Sequence, residues 1–290
     1  MRLALGTAQF GLDYGISNTA GQVKPPEVDR ILAEAKKHNI DTLDTAIAYG
    51  DSERVLGNVG VRKFNVVTKL PPLPEGIRDD KLWLNEQVQA SLKNLRVESL
   101  SGLLMHKSSD LFKKSNAPLL SGLRKLKETG VVNKVGVSIY NPSELDALAD
   151  RGIEIDIVQA PFNILDRRIE SSGWLNRLAL ADIEIHTRSV FLQGLLLQSK
   201  IQRAPYFNKW AKHFAIFDEW VNDTGQTRLG ASLNFVYSRA KISKVIVGVQ
   251  DRGQLRGVVK SISLDRHSLV SSDLAIYDDS LINPSNWVVK

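Results

Sequence analysis

Four titratable side chains of four different types lie at or near the ends of three consecutive apolar runs in this chain of 290 residues. Asp44 ends the run TLD, Lys69 ends VVTK and His106 ends LLMH, while Tyr49 follows Asp44 by five residues. Taken singly, each has an ordinary explanation: a turn-forming aspartate, a solvated lysine, a hydrogen-bonding histidine and a packed tyrosine. The presence of one side chain of each type at the same end of neighbouring strands favours a common site.

Together, these groups have the chemistry of a proton donor for an oxygen that becomes an alkoxide. A free phenol has a pKa of about 10, and a nearby ammonium lowers that value as long as it stays charged. Asp44 beside Lys69 would keep the lysine charged, and His106 could orient a carbonyl oxygen through a hydrogen bond. A carbonyl protonated on oxygen also needs hydride on carbon. No side chain supplies hydride, so a nicotinamide cofactor is expected.

Eight strands are expected to position these side chains, because short apolar runs alternate with amphipathic helical runs almost to the end of the chain. The expected strands cover residues 3–7, 42–46, 64–70, 100–106, 133–139, 155–160, 183–187 and 243–249. Eight βα units in under 300 residues predict an α/β fold, a (β/α)8 TIM-type barrel that forms a single domain over residues 1–290. An open doubly wound sheet is the alternative. It is disfavoured because no G-x-G-x-x-G follows a strand and no P-loop is present.

Helical periodicity and end signals predict the connecting helices. They are expected at residues 25–39, 79–95, 118–130, 141–152 and 252–262, with two more near 206–222 and 227–239. Asn141 is the expected N-cap of its helix, with Glu144 three residues later, and Gly130 closes the preceding helix. The last two helices fall in an enlarged segment, residues 188–243, and a C-terminal tail covers residues 265–290.

Composition excludes several other classes of protein. Lys and Arg number 38 against 32 Asp and Glu, which gives a net charge of +6. The basic residues are not interleaved with aromatic residues as they are in a nucleic-acid site. Cysteine is absent, so disulfides and a thiolate nucleophile are excluded. The five histidines show neither H-x-H nor H-E-x-x-H spacing, so no metal site is expected. We also expect no membrane span and no signal peptide, and hence a cytoplasmic protein.

Seven motifs resemble those of the aldo-keto reductase superfamily, in family order over about residues 3–257. They read LGTAQFG, DTAIAYG, VVTKL, LLMHK, GVSIYN, VQAPFN and SVFLQGLL. The resemblance implies a TIM-type barrel that binds NADP(H), or less often NAD(H), in extended form without a Rossmann domain. It also implies Tyr49 as the general acid, Lys69 and Asp44 as its tuning pair, and His106 as the residue that orients a small carbonyl substrate.

The resemblance also implies positions for the cofactor. Ser138 and Gln159 match residues that hold the carboxamide, while Arg188 stands where an aromatic residue stacks on the nicotinamide, and a planar guanidinium can also stack. The lysine-serine-arginine pattern that many members use for the 2′-phosphate is missing after the eighth strand. Arg252 could supply the charge, so NADP(H) is preferred and NAD(H) is the alternative. The full expected set is Thr7, Ser138, Gln159, Arg188, Ser189, Leu192, Gly194, Gly248, Gln250, Arg252 and Gln254.

The sequence therefore predicts an NAD(P)H-dependent oxidoreductase that reduces an aldehyde or ketone, including sugar-derived carbonyls, to an alcohol. Phe10 and Tyr14 are the expected substrate contacts, with Phe162 and Phe191 as further apolar candidates. One alternative is a catalytically weak, cofactor-sensing or regulatory protein of the same fold. Another is a Schiff-base aldolase acting through Lys69. That reaction requires a neutral amine, which an adjacent Asp44 would oppose.

Overall fold

Eight parallel strands close into a barrel in the computed structural model, which describes residues 1–112, 117–262 and 272–288. The strands are β1 (Leu3–Gly6), β2 (Thr42–Asp44), β3 (Asn65–Leu70), β4 (Gly102–Met105), β5 (Val135–Ser138), β6 (Ile157–Pro161), β7 (Glu184–Arg188) and β8 (Lys244–Gly248). Each strand pairs with the next along the chain, and β8 pairs with β1. The predicted (β/α)8 barrel is confirmed, and the C-terminal ends of all strands share one rim.

Twelve α-helices lie within the described ranges and alternate with the strands. They are α1 (Ala8–Gly11), α2 (Pro25–Lys37), α3 (Ser52–Val59), α4 (Asp80–Leu95), α5 (Ala117–Glu128), α6 (Ser143–Ala149), α7 (Arg168–Ser171), α8 (Trp174–Leu180), α9 (Ala211–Asp223), α10 (Arg228–Tyr237), α11 (Arg252–Ser261) and α12 (Asp279–Ile282). Short 3₁₀ segments cover Ser108–Phe112, Leu192–Leu197, Lys200–Gln202, Pro205–Trp210, Ser272–Leu274 and Pro284–Asn286, and the second of these is kinked at Gln193 and Gly194. The sequence did not predict α1, α3, α7, α8 and α12, because helices of one or two turns show little periodicity.

Capping interactions set the start of α6 much as the sequence predicted. Asn141 Oδ1 accepts from the backbone N–H of Ser143 at 3.0 Å, and Glu144 Oε1 accepts from the backbone N–H of Asn141 at 2.8 Å. These bonds satisfy N–H groups that the first helical turn leaves without an intrahelical partner. Gly130 follows α5 with φ +73, as expected of a glycine that ends a helix.

A small apolar cluster fills the barrel interior below the rim. Val67, Leu104 and Ile157 form this cluster, separate from the large core between the sheet and the surrounding helices. Since successive strand side chains alternate between faces, Lys69 and Gln159 lie on the same face as Val67 and Ile157, one step closer to the rim. The alternation therefore places the polar side chains of Lys69 and Gln159 directly above this apolar cluster.

The tail packs against the segment between β7 and β8. Residues 265–271 of the predicted tail, together with 289–290, lie outside the described residues. In the remainder, Trp210 Nε1 donates to Asp278 Oδ2 at 3.0 Å, and the rings of Phe207 and Trp287 meet edge to face at 5.0 Å. Trp287 therefore packs beside the enlarged segment. Across the described residues, we find no helix with the length and apolarity needed to cross a bilayer.

Gly57→Ala is expected to destabilise the fold, because a Cβ there would overlap the backbone oxygen of Asn94 where α3 packs on α4. We expect a loss of about 1–3 kcal/mol, seen as a lower urea midpoint. Gly257→Ala is the matched control, since its nearest neighbour would be Leu229 Cδ2 at 3.9 Å. The better helix propensity of alanine should leave the midpoint of this variant equal or higher. Equal midpoints for the two variants would contradict the close packing at Gly57.

Candidate active site

A buried ion pair lies at the C-terminal rim of the barrel. Lys69 Nζ donates to Asp44 Oδ2 at 2.7 Å and to the backbone oxygen of Thr45 at 2.8 Å, and the lysine side chain is wholly buried. Burial by itself lowers the pKa of Lys69, but the Asp44 carboxylate and the Tyr49 phenol outweigh it, so this pKa lies above the usual 10.5. Lys69 therefore carries a positive charge at neutral pH.

The second carboxylate oxygen of Asp44 is also bound. Gln159 Nε2 donates to Asp44 Oδ1 at 2.6 Å, and Ser138 Oγ donates to Gln159 Oε1 at 3.4 Å. Asp44, Gln159 and Ser138 are all buried. This chain of hydrogen bonds joins β2, β6 and β5 across the top of the barrel, and it connects the two expected carboxamide contacts to the ion pair.

The Tyr49 hydroxyl lies within reach of the same ammonium. Lys69 Nζ donates to Tyr49 Oη at 3.4 Å, and the rings of Tyr49 and His106 lie edge to face with centroids 6.0 Å apart. The loop that carries Tyr49 is fastened to β3, since the backbone N–H of Ile47 donates to the Lys69 carbonyl at 3.2 Å. The structure thus brings together all four residues in the expected catalytic set.

Two glycines allow the Tyr49 loop to lie directly on α1. A Cβ on Gly11 would overlap the Tyr49 backbone oxygen, and a Cβ on Gly50 would lie 2.5 Å from the Gly11 oxygen. Gly50 also has φ +53, in the left-handed region that glycine adopts without strain. Sequence reasoning did not identify this contact, because a glycine shows no sign of its spatial neighbour.

His106 is held neutral at physiological pH. Removal from water lowers its pKa to about 4, and the positive charges of Lys69 and Arg188 act in the same direction, while Asp44 opposes them. A neutral imidazole carries one N–H and one acceptor nitrogen, so it can donate a hydrogen bond without contributing a charge.

A cavity of about 590 Å³ opens at this rim. Twelve of the expected site residues line it: Thr7, Tyr14, Asp44, Tyr49, His106, Gln159, Arg188, Ser189, Gly194, Gly248, Gln250 and Gln254. Phe191 lines it too. Lys69 and Ser138 lie behind this surface, in contact with Asp44 and Gln159 respectively. The volume falls within the range of roughly 300–1,000 Å³ that is typical of small-molecule sites.

Several expected contacts lie away from the cavity lining. Phe10, Phe162 and Leu192 are completely buried in the core, and Arg252 is exposed at the start of α11. The lining also includes residues that the sequence did not single out, notably Gln9, Ser17, Asn18, Tyr140 and Gln193. These lie on short helices and loops, where no periodicity indicates which side chains face a cavity. Among the residues that the structure describes, no three His, Asp or Glu side chains are grouped to hold a metal.

Arg188 presents a fixed planar group at the end of β7. Its Nη2 donates to the Ile139 carbonyl at 3.0 Å, its Nη1 donates to Ser189 Oγ at 3.3 Å, and its Cζ lies 4.4 Å from the Tyr140 ring centroid. A guanidinium held on both edges and stacked on an aromatic ring keeps its orientation. The arrangement therefore offers a flat cationic surface to a ligand in the cavity.

The turn that follows β7 has an unusual backbone. Ser189, Leu192 and Gln193 have φ of +61, +47 and +53, and Gly194 has φ +92. Non-glycine residues in this region are strained, and such strain is concentrated at ligand-binding sites. A Cβ on Gly194 would overlap Ser17 Oγ, so the turn also requires glycine at that point. Backbone turns of left-handed residues can direct successive N–H groups toward an anion.

The folded state is expected to lose stability as the pH falls from 6.5 to 4, in part because of His106. Its pKa is about 4 in the folded chain, against 6.5 ordinarily, so between these pH values the unfolded chain binds a proton that the folded chain does not. This difference should lower the free energy of unfolding by about 3 kcal/mol at pH 4 relative to neutral pH. Urea unfolding of the wild type and His106→Gln at several pH values measures it, and parallel pH curves would contradict the assignment.

A double-mutant cycle should show that the buried pair acts as one unit. Lys69→Met leaves the Asp44 carboxylate buried without its cation, so we expect a loss of about 3–5 kcal/mol in the free energy of unfolding. Adding Asp44→Asn removes the unpaired charge and should recover a large part of that loss, while Gln159 can still donate to the amide oxygen. Urea unfolding of both single variants and the double variant tests this. Simple additivity of the two losses would disprove the coupling.

Known proteins resemble the chain over half of its length or more. L-glyceraldehyde 3-phosphate reductase from Escherichia coli (strain K12) is 21% identical over 294 residues, covering 87% of this chain and 84% of that protein. NADH-specific methylglyoxal reductase from the same organism is 28% identical over 165 residues, or 50% of each chain.

A solved structure and the sequence model of a protein family also match the chain. The holo form of an aldo-keto reductase from Bacillus halodurans matches with a TM-score of 0.70 at 18% identity, covering 94% of this chain and 89% of that one, which shows a shared fold. The sequence model of the Aldo/keto reductase family matches residues 2–280. The chain therefore belongs to the aldo/keto reductase family.

Proposed function

We propose that the protein is an NAD(P)H-dependent reductase that converts an aldehyde or ketone to an alcohol, with Tyr49 as the general acid. The observation that carries this proposal is the position of the Tyr49 hydroxyl, which lies 3.4 Å from the charged, buried ammonium of Lys69. Tyr49 and His106 line the same cavity. A proton donor and a hydrogen-bond donor that converge beside one space suit a carbonyl oxygen.

Each residue has a separate task in this scheme. A nicotinamide cofactor bound in the cavity would supply the hydride for the substrate carbon. Tyr49 gives its proton to the carbonyl oxygen, and the ammonium of Lys69 stabilises the phenolate that remains. Asp44 keeps Lys69 protonated through their 2.7 Å contact. Neutral His106 donates a hydrogen bond to the same carbonyl oxygen and holds it at the distance needed for proton transfer.

The cavity also has groups that fit a dinucleotide. Gln159 provides an amide partner for a carboxamide at the cavity wall, with Ser138 hydrogen-bonded behind it, and Arg188 offers a planar surface next to them. The turn at residues 189–194 suits the diphosphate for two reasons. Its left-handed residues can direct backbone N–H groups toward an anion, and the Arg188 guanidinium lies beside it. We assign these residues to the nicotinamide and diphosphate parts of the cofactor.

The alternatives receive less support. A Schiff-base aldolase needs a neutral lysine, whereas Asp44 and Tyr49 raise the pKa of Lys69. A regulatory protein without turnover would not need a phenol, an ammonium and an imidazole that converge on one cavity. L-glyceraldehyde 3-phosphate reductase and methylglyoxal reductase, the two relatives, are named for small aldehydes. We extend that class, including sugar-derived carbonyls, to this chain as part of the proposal.

Tyr49→Phe is expected to lower kcat by roughly 10²- to 10⁴-fold, because it removes the proton donor and leaves the ring in place. The measurement is NADH and NADPH oxidation over a panel of aldehydes, ketones and sugars. Quenching of tryptophan fluorescence by the cofactor should be unchanged. Tyr277→Phe is the matched control, since Tyr277 is 65% exposed in the tail. Full turnover by Tyr49→Phe, or trapping of substrate on Lys69 by borohydride, would refute the assignment.

A further inference from the structure

The cavity has a second end, away from Tyr49 and His106, at the loop after β8 and the first turns of α11. Leu229, Val249 and Val258 line this end together with Gly257, which has no side chain. We call this end the slot. Because its walls are apolar and Gly257 has no side chain to fill it, the slot suits a flat ring. If the carbonyl chemistry takes place at Tyr49, as proposed above, this slot suits the adenosine half of the cofactor. The inference that follows therefore rests on the proposed function.

The N-terminus of α11, which borders this slot, is already occupied by carboxylates. Asp251 Oδ1 accepts from the backbone N–H of Gln254 at 2.8 Å, and Glu27 Oε1 accepts from the backbone N–H of Arg252 at 2.9 Å. Free N–H groups and a positive helix dipole would make such a terminus attractive to a phosphate. Here two negative side chains take two of these donors, the N–H groups of Arg252 and Gln254, and oppose a further anion.

Two neutral carboxamides line the slot where a phosphate would need cations. Gln254 Oε1 accepts from the backbone N–H of Gln250 at 2.9 Å. Gln250 Oε1 is buried and, within the described ranges, has no hydrogen-bond partner. A buried acceptor needs a donor. A ribose hydroxyl can donate, whereas an ionised phosphate ester only accepts.

The nearby arginines do not supply the missing charge inside the slot. Among the described residues that line the cavity, Arg188 is the one lysine or arginine, and it lies at the end of β7. Arg256 is paired with Glu34 at 2.8 Å, and Arg30 is paired with Glu27 at 2.9 Å. Arg252 is exposed outside the lining, with Glu27 bound to its backbone.

We infer that this end of the cavity accepts the free 2′-hydroxyl of NAD(H) and rejects the 2′-phosphate of NADP(H). Gln250 and Gln254, which line the slot, are the specificity-determining residues, and the charge of Asp251, which caps α11 outside the lining, adds to the repulsion of an anion. Carboxylates and amide oxygens beside an adenosine ribose favour the hydroxyl, while arginine favours the phosphate. The preference for NADP(H) expected from the sequence depended on the charge of Arg252, which the structure places outside the slot.

Direct binding of the two cofactors to the full chain tests this inference. Titration of tryptophan fluorescence with NADH and with NADPH gives a Kd for each, without any need for a substrate. We expect NADH to bind at least about tenfold more tightly, the size of one well-placed charged hydrogen bond. Equal affinity, or tighter binding of NADPH, would overturn the inference. Failure to bind either cofactor would instead overturn the proposed function.

A pair of variants tests the residues themselves. Gln250→Lys with Asp251→Ser adds a cation and removes a carboxylate, while serine can still cap α11. We expect this double variant to shift the NADH to NADPH affinity ratio by about 10- to 100-fold toward NADPH. We also expect its NADPH binding to weaken as salt is added.

The control is Gln250→Met with Asp251→Ser, which removes the same carboxylate and adds no cation, so it should shift the affinity ratio less than the lysine variant does. Thermal unfolding checks that both double variants fold. An unchanged affinity ratio in the lysine variant would remove Gln250 and Asp251 from the specificity assignment.

Discussion

Burying an ammonium beside a carboxylate is unfavourable unless both groups are hydrogen-bonded, and the barrel meets that condition for Lys69 and Asp44 with groups from several strands. Thr45, Tyr49 and Gln159 provide the partners. Because strand side chains alternate, a shift of β3 by one residue would turn Lys69 out of the barrel. The pair thus links the register of the strands to the position of the Tyr49 hydroxyl, the proposed proton donor.

The sequence predicted much of this architecture because strands and long helices leave regular patterns. Strand ends marked by Asp44, Lys69 and His106 could be placed on one rim by the rule that parallel strands share a direction. The sequence did not indicate which residues of the short connections face the cavity. Phe10 shows the difficulty: it lies in a helix of four residues, which has too few turns to reveal its buried side.

The sequence also did not predict several unusual backbone conformations. Ser189, Leu192 and Gln193 adopt left-handed conformations against their own preference, because contacts between distant parts of the chain impose them. The contact between Gly11 and the Tyr49 loop similarly depends on two segments that lie far apart in sequence. Such features arise from the assembled fold, so local propensity carries little information about them.

Asp251 both caps α11 and carries a negative charge next to the end of the cavity that we assign to adenosine. Replacing it with alanine would forfeit a cap worth about 1 kcal/mol, whereas serine, threonine or asparagine would keep the cap and drop the charge. During evolution toward a more anionic cofactor, few substitutions of Asp251 would therefore be tolerated. Helix stability restricts the evolutionary routes by which ligand preference can change.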